Sequence, residues 1–247
     1  MLISAEDELT QASPSSARYR HRLEAHANQE PIHEWANERF LVPEAPAGSC
    51  FKLLVVRNPI DRLASAWKDK VLLRQDRMVW RAFRNQLWFV GLKDADSQDG
   101  LHKAFGRFLG ALRHESVAES NPHWYRQDLL VQGVGEFDLT VVSGDLGGLP
   151  TALATWNPEL EFVSSVPLPK LHSTEFIHPQ LFLNQSLVEE ATDLLAPEFT
   201  AYSGIVGFSE SKQVMLLQGP TLDAQAVEEG LNNIRTRMVE VQTRWSE

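Results

Sequence analysis

The sequence predicts an α/β domain in which a parallel sheet is flanked by helices. Two short apolar runs, residues 51–56 and 137–142, have the character of strands that are buried on both faces. The apolar residues between them recur at helical spacing, and strands separated by helical segments are typical of a mostly parallel sheet. The 247 residues suit one large domain. We place this domain at residues 1–210, followed by a C-terminal amphipathic helical extension at residues 211–247.

The elements follow in order along the chain. Residues 1–49 are expected to form helix and linker. The first strand, at residues 51–56, is followed at once by Asn58, a good N-cap residue, and by Pro59, which suits the first helical position. Asp61 then lies in the first turn, where the helix dipole favours an acid. A helix is therefore predicted to begin at Pro59, with its buried face formed by Ile60, Leu63, Ala64, Trp67 and Val71.

The middle of the chain continues the helical pattern. Residues 76–118 have helical periodicity with a polar interruption at residues 93–100, which we expect to be a loop or a lid. We interpret the many aromatic residues of this region as core rather than as a ligand platform. Arg74 to Arg84 are expected on the solvated face of a helix, and residues 187–195 are predicted to be helical.

The last segment has an apolar seam with heptad spacing. Its members are Val227, Leu231, Ile234, Met238, Val241 and Trp245. Such a seam could pair with a second copy of the chain and give a homodimer. We favour a terminal helix docked on its own domain, because about three heptads are marginal alone and Gly230 weakens the helix.

Charge and composition limit the partners. The chain has 23 Lys and Arg against 33 Asp and Glu, a net charge of -10, which argues against nucleic acid, a highly sulfated polymer or an anionic membrane as a partner. A single cysteine, Cys50, cannot form an internal disulfide or a thiolate metal site. The first residues do not resemble a signal peptide, and no apolar run could span a bilayer. We therefore expect a cytoplasmic protein.

The basic residues are concentrated in one part of the chain. Residues 57–84 contain eight basic and three acidic side chains, a net charge of +5, so the rest of the chain carries -15. A basic island in an acidic protein indicates a local anionic ligand rather than a long polyanion.

The first strand, turn and helix can build an anion site within this island. Backbone N-H groups at the start of a helix bind anions, and Arg57 lies at the end of the strand beside that turn. Ser65 lies two helical turns further on, so its hydroxyl and the Arg57 guanidinium could hold one terminal phosphate. Alternatively, Arg57 pairs with Asp61 and Ser65 is only a small packing residue. The spacing leaves both interpretations open.

Four motifs resemble those of the carbohydrate sulfotransferases of the heparan and chondroitin type. Residues 56–70 read Val-Arg-Asn-Pro-Ile-Asp-Arg-Leu-Ala-Ser-Ala-Trp-Lys-Asp-Lys, which resembles the 3'-phosphate-binding motif of that family. Residues 121–127 resemble its His-Trp...Gln segment, residues 168–174 its Pro...Asn-Lys/Ser-Ser/Thr loop, and residues 194–208 its acidic-Phe-aromatic helix end. The resemblance implies a P-loop-like sulfotransferase fold over about residues 50–210.

The resemblance also implies a reaction and a set of site residues. The donor would be 3'-phosphoadenosine 5'-phosphosulfate (PAPS), and its sulfuryl group would pass to a hydroxyl of a small or glycan acceptor without a metal. Residues implied in donor binding are Arg57, Ser65, Arg62, Lys70, His172 and Ser173, and those implied in acceptor binding are Trp124 and Gln127. His33 and His123 are the candidate catalytic bases, although either could be structural.

One part of the family pattern has no counterpart in this sequence. Carbohydrate sulfotransferases carry, before the 3'-phosphate motif, a first strand and a Pro-Lys...Ser/Thr loop that binds the 5'-phosphosulfate. Here no Lys precedes Lys52 and no Gly precedes Gly48. Either the sequence starts late, or the protein is an inactive homologue that acts as a nucleotide-binding or protein-interaction module. A third hypothesis, a purely structural domain, predicts that Arg57 is paired internally.

Overall fold

The fold is a helix-rich α/β arrangement, as predicted. The computed structural model describes residues 52–74, 76–131, 136–142, 149–158, 177–205, 208 and 221–246. The strands are β1 (Leu53–Val56) and β2 (Leu139–Val142). The helices are α1 (Pro59–Ala66), α2 (Arg77–Phe83), α3 (Gln98–Leu112), α4 (Glu115–Ala118), α5 (Gln127–Leu130), α6 (Leu149–Trp156), α7 (Gln185–Tyr202) and α8 (Ala224–Ser246). Within these ranges, no helix combines the length and the apolarity needed to cross a membrane.

The two strands pair in parallel. Leu53 lies opposite Leu139 and Val56 opposite Val142, so both strands end at the same edge. The pairing begins one residue earlier, where the Lys52 amide donates to the Asp138 carboxylate at 2.7 Å. Parallel strands have to be joined by a long crossover connection. Here the helices of residues 57–138 form that connection from β1 to β2. The described residues thus confirm both predicted strands.

The predicted helix start after β1 is confirmed. The Asn58 side-chain oxygen accepts hydrogen bonds from the amides of Ile60 at 3.0 Å and Asp61 at 3.2 Å. Pro59 occupies the first turn, where its missing N-H leaves no donor unsatisfied. The helix continues without a break into a π-helical segment, Trp67–Leu72, which ends before Arg74. The capping chemistry read from the sequence is therefore what starts α1.

An aromatic core holds the helices together. Trp67 is fully buried and packs edge-on against Phe105 of α3, with ring centroids 5.1 Å apart. It also contacts Phe182, which follows a short 3₁₀ helix at Pro179–Leu181, at 5.0 Å. Aromatic pairs of this kind add about 0.5–1.5 kcal/mol beyond the burial of their area. The prediction that the aromatic residues of 76–118 form core is confirmed: Trp88, Phe89, Phe105 and Phe108 are buried, and the partly buried Trp80 and Phe83 pack against them.

Two local expectations were wrong. Arg74 is not solvated: it is 6 % exposed, and its guanidinium donates to the Val90 carbonyl at 2.9 Å and to the Gln242 side chain at 3.3 Å. It has a φ of 53°, so the chain leaves the helix here and the helical spacing no longer predicts which side chain is exposed. The polar residues 93–100 are not a loop either, because Leu92–Asp96 is a 3₁₀ helix and Ser97 then caps α3.

The heptad seam of α8 docks on its own domain. Leu231, Ile234, Met238 and Val241 are all buried, and α8 packs against the 3₁₀ helices at Leu92–Asp96 and Pro179–Leu181. Three of the four belong to the same core as Trp67. The helix therefore completes the core, and these residues are not free to pair with a second copy of the chain.

Candidate functional site

The predicted anion site lies where β1 passes into α1. Arg57 is exposed, and within the described part of the chain its guanidinium makes no hydrogen bond or ion pair. The alternative pairing with Asp61 is therefore not what the structure shows. Ser65 is half-buried on α1. Arg57 thus presents a positive charge that an anionic ligand could neutralise.

The backbone of this turn is less available than the sequence suggested. Pro59 has no N-H, and the amides of Ile60 and Asp61 already donate to the Asn58 side chain. The Arg62 amide donates to the Asn58 carbonyl at 2.9 Å, as the helix requires. The helix N-H groups that were expected to bind an anion therefore already have an acceptor, the N-cap residue Asn58. Recognition of an anion here has to rely on side chains, above all on Arg57.

Gln127 supports the turn from the side. Its Nε2 donates to the Val55 carbonyl at 2.7 Å, and its Oε1 accepts from the Arg57 amide at 3.4 Å. Both ends of the amide are thus used to hold the end of β1. This supporting role was missed by the sequence reasoning, which predicted that Gln127 contacts the acceptor. The two contacts join residues about 70 positions apart, so local spacing gives no sign of them.

Arg62 is held by a buried carboxylate. Its Nη2 lies 3.1 and 2.9 Å from the two carboxylate oxygens of Glu198, and its Nη1 donates to the His123 carbonyl at 3.1 Å. Glu198 is fully buried in α7 and also accepts from the Gln127 amide at 3.2 Å. The prediction that Arg62 binds the donor is not supported by these contacts, because its guanidinium already has a partner.

His123 lies beside two cations. The residue is exposed, but desolvation of its imidazole, followed by the charges of Lys70 and Arg62, lowers its pKa below the usual value near 6.5, with Asp76 acting in the opposite direction. Lys70 lies 3.8 Å from Asp76. At neutral pH the imidazole is therefore neutral and can accept a proton. The positive charge of Lys70 thus acts on the candidate base His123.

The comparison with protein families agrees with this arrangement. The sequence model of the sulfotransferase family matches residues 9–137, which is more than half of the chain and includes β1, α1 and the segment 121–127. The chain belongs to the sulfotransferase family. A search of the curated proteins and a search of the solved structures gave no significant match.

Family membership supports sulfotransfer in general. The structure describes Trp124, one of the predicted acceptor-binding residues. Trp124 is 3 % exposed and packs edge-to-face against Phe108 with centroids 5.5 Å apart, while its indole N-H donates to the Val117 carbonyl at 2.9 Å. Trp124 is therefore a core residue. His33, His172 and Ser173 lie outside the described residues, so their predicted roles stay predictions.

A cavity of about 220 Å³ adjoins the segment that carries His123. Its wall is mainly apolar with two carboxylates: Leu112, Glu115, Ala118, Glu119, Trp124, Tyr125, Arg126, Leu129, Leu194 and Leu195. Trp124 forms part of the wall of this cavity. Among the described residues, no group of three or more His, Cys, Asp or Glu side chains is arranged to hold a metal ion.

Proposed function

We propose that this protein transfers a sulfuryl group from PAPS to a hydroxyl group, with a glycan as the acceptor class. The observation that carries the proposal is the exposed guanidinium of Arg57, which has no partner among the described residues and lies at the β1–α1 turn of a sulfotransferase-family chain. A planar guanidinium suits a terminal phosphate, because it can donate two parallel hydrogen bonds. The 3'-phosphate is the group that distinguishes PAPS from ATP, so this contact would select the donor.

The reaction follows from these groups. The acceptor oxygen attacks the sulfur while the bond from sulfur to the 5'-phosphate oxygen breaks. The products are a sulfate ester and 3',5'-adenosine bisphosphate. The proton of the acceptor hydroxyl goes to a base, for which the neutral imidazole of His123 is suited. Lys70, whose charge acts on the His123 imidazole, would stabilise negative charge that develops on the leaving phosphate.

Isothermal titration with 3',5'-adenosine bisphosphate tests the donor site. Arg57→Ala should weaken binding by roughly 10- to 100-fold, which corresponds to one hydrogen bond to a charged group. Arg81→Ala is the matched control, because Arg81 is an exposed arginine of α2 within the same basic island, and it should bind as the wild type does. Equal affinities for Arg57→Ala and the wild type would refute the assignment.

A second nucleotide, which lacks the 3'-phosphate, tests whether Arg57 binds that group. Adenosine 5'-monophosphate lacks this group, so the wild type should bind it more weakly, and Arg57→Ala should reduce its affinity little further. If Arg57→Ala weakened both nucleotides equally, Arg57 would act elsewhere on the ligand or only on the fold.

Transfer itself is measured with a donor that is labelled in its sulfuryl group and a panel of glycans. His123→Asn should lower the rate of transfer by about 10²- to 10⁴-fold while leaving the nucleotide affinity unchanged. His114→Asn is the control, because His114 is an exposed histidine whose side chain caps no helix amide. Tight nucleotide binding without transfer to any acceptor would instead support the inactive, nucleotide-binding homologue.

A further inference from the structure

Glu198 is the acidic residue of the segment 194–208 that resembles the family's helix end, and the sequence analysis gave it no role of its own. It has no exposed surface, and it lies in α7, beyond residues 9–137 that match the family model. Burial raises the pKa of Glu198, while the Arg62 charge and the hydrogen bond from the Gln127 amide oppose that rise. Three short contacts surround it: two from Arg62 Nη2 and one from the Gln127 amide.

The two partners of Glu198 each lead to one half of the candidate site. Gln127 holds the β1–α1 turn through the Val55 carbonyl and the Arg57 amide. Arg62 holds the segment that carries His123 through the His123 carbonyl. One carboxylate therefore connects the turn that presents Arg57 with the backbone of the candidate base.

The cost of burying this ion pair suggests that it has a role besides stability. Taking two charges out of water is expensive, and apolar residues of similar volume often stabilise a fold as well or better. A carboxylate, however, can accept hydrogen bonds from two directions at once and so fix their relative positions, which an apolar side chain cannot do. Glu198 lies near the C-terminal end of α7. This end of the helix is held in place, because Phe199 and Tyr202 both pack against Phe208.

We propose that Glu198 is a positioning residue that fixes the Arg57 turn and the His123 segment relative to each other, acting through Gln127 and Arg62. The proposal rests on the function proposed above, since it is the donor site and the base that are being positioned. Glu198 contacts neither reactant.

Glu198→Gln tests the proposal, because the amide keeps the size of the side chain and removes its charge. We expect at least about a 10-fold loss of affinity for 3',5'-adenosine bisphosphate, the effect of losing one hydrogen bond to a charged group. Backbone amide exchange at Gln127 and Arg57 should become faster, because both amides donate into this network. Glu190→Gln is the control, since it removes a carboxylate of α7 that pairs at the surface with Arg113, and both readouts should stay at wild-type values.

A double variant separates positioning from stability. Arg62→Met combined with Glu198→Leu removes both charges and fills the space with apolar groups, so the protein should fold as stably as the wild type. Nucleotide affinity should nevertheless stay about 10-fold below that of the wild type, because neither the Gln127 amide nor the His123 carbonyl regains a partner. Recovery of wild-type affinity in the double variant would overturn the proposal, and so would unchanged affinity and exchange in Glu198→Gln.

The outcomes also distinguish this inference from the proposed function. If Arg57→Ala weakens nucleotide binding but the Glu198 variants do not, only the positioning role is wrong. If nucleotide binding does not depend on Arg57, the donor site is wrong, and amide exchange at Gln127 and Arg57 still decides whether Glu198 orders this region.

Discussion

Replacing Gly230 by alanine should cost packing energy in α8, although the sequence alone marks this glycine as a weak point of that helix. A Cβ atom at this position would lie 2.5 Å from Leu181 Cδ1, 3.2 Å from Cδ2 and 3.4 Å from Cγ. Leu181 is 1 % exposed and belongs to the core, so its whole side chain would have to move. The glycine thus permits the close approach of α8 to the 3₁₀ helix at Pro179–Leu181.

The expected effect of Gly230→Ala combines two opposing contributions. Replacing glycine by alanine inside a helix stabilises it by about 1 kcal/mol. Forcing a methyl group into a packed core costs about 1–3 kcal/mol. We therefore expect a net loss of about 0–2 kcal/mol. Gly110→Ala in α3 is the matched control, because nothing lies within 4 Å of its Cβ position, and it should stabilise the protein by up to about 1 kcal/mol.

Urea denaturation followed by circular dichroism measures both variants. Gly230→Ala should be less stable than Gly110→Ala by about 1–3 kcal/mol, because only the first meets the packing cost. In a Leu181→Ala background the blocking atoms are absent, so Gly230→Ala should become stabilising. Equal stabilisation by the two single substitutions, or a loss that persists in the Leu181→Ala background, would refute the docking of α8 described here.

Three further predictions concern the site and the docked helix. Lys70→Met should raise the pKa of His123, because a positive charge beside the imidazole is lost, and an NMR titration of the ring protons that shows no rise would contradict this arrangement. Asn58→Ala should lower the free energy of unfolding by about 1 kcal/mol, since two amides at the start of α1 lose their acceptor, and chemical denaturation would show it. Ile234→Asp should unfold the protein, because the residue is fully buried, whereas Val239→Asp, at a position 51 % exposed on the same helix, should leave the melting temperature nearly unchanged.

Much of the fold was predictable because its causes are local. An apolar run followed by Asn58 and Pro59 specifies a strand and a helix start through groups that lie within four residues of one another. The same holds for the apolar seam of α8, whose buried face was read correctly from its spacing. Arg74 was misjudged for the same reason: its spacing was helical, but its φ of 53° takes it out of the helix.

The candidate site was predictable only in part. The sequence pointed to Arg57, and the structure shows it exposed and free within the described residues. The sequence also suggested Arg62 and Gln127 as binding residues, and here the structure assigns supporting contacts instead. A residue type and a motif can indicate that a side chain matters, but they do not distinguish contact with a ligand from contact with a neighbour.

The sequence by itself thus determined where strand and helix begin, which helix faces are apolar, and that a positive charge follows the first strand. Only the tertiary structure decided that the seam of α8 is used within the chain, and that Arg62 is held by Glu198, 136 positions away. The physical reason is that capping and periodicity act over a single helical turn. The partner of a buried charge, by contrast, depends on how distant elements pack. The spacing of residues along the chain therefore does not predict that partner.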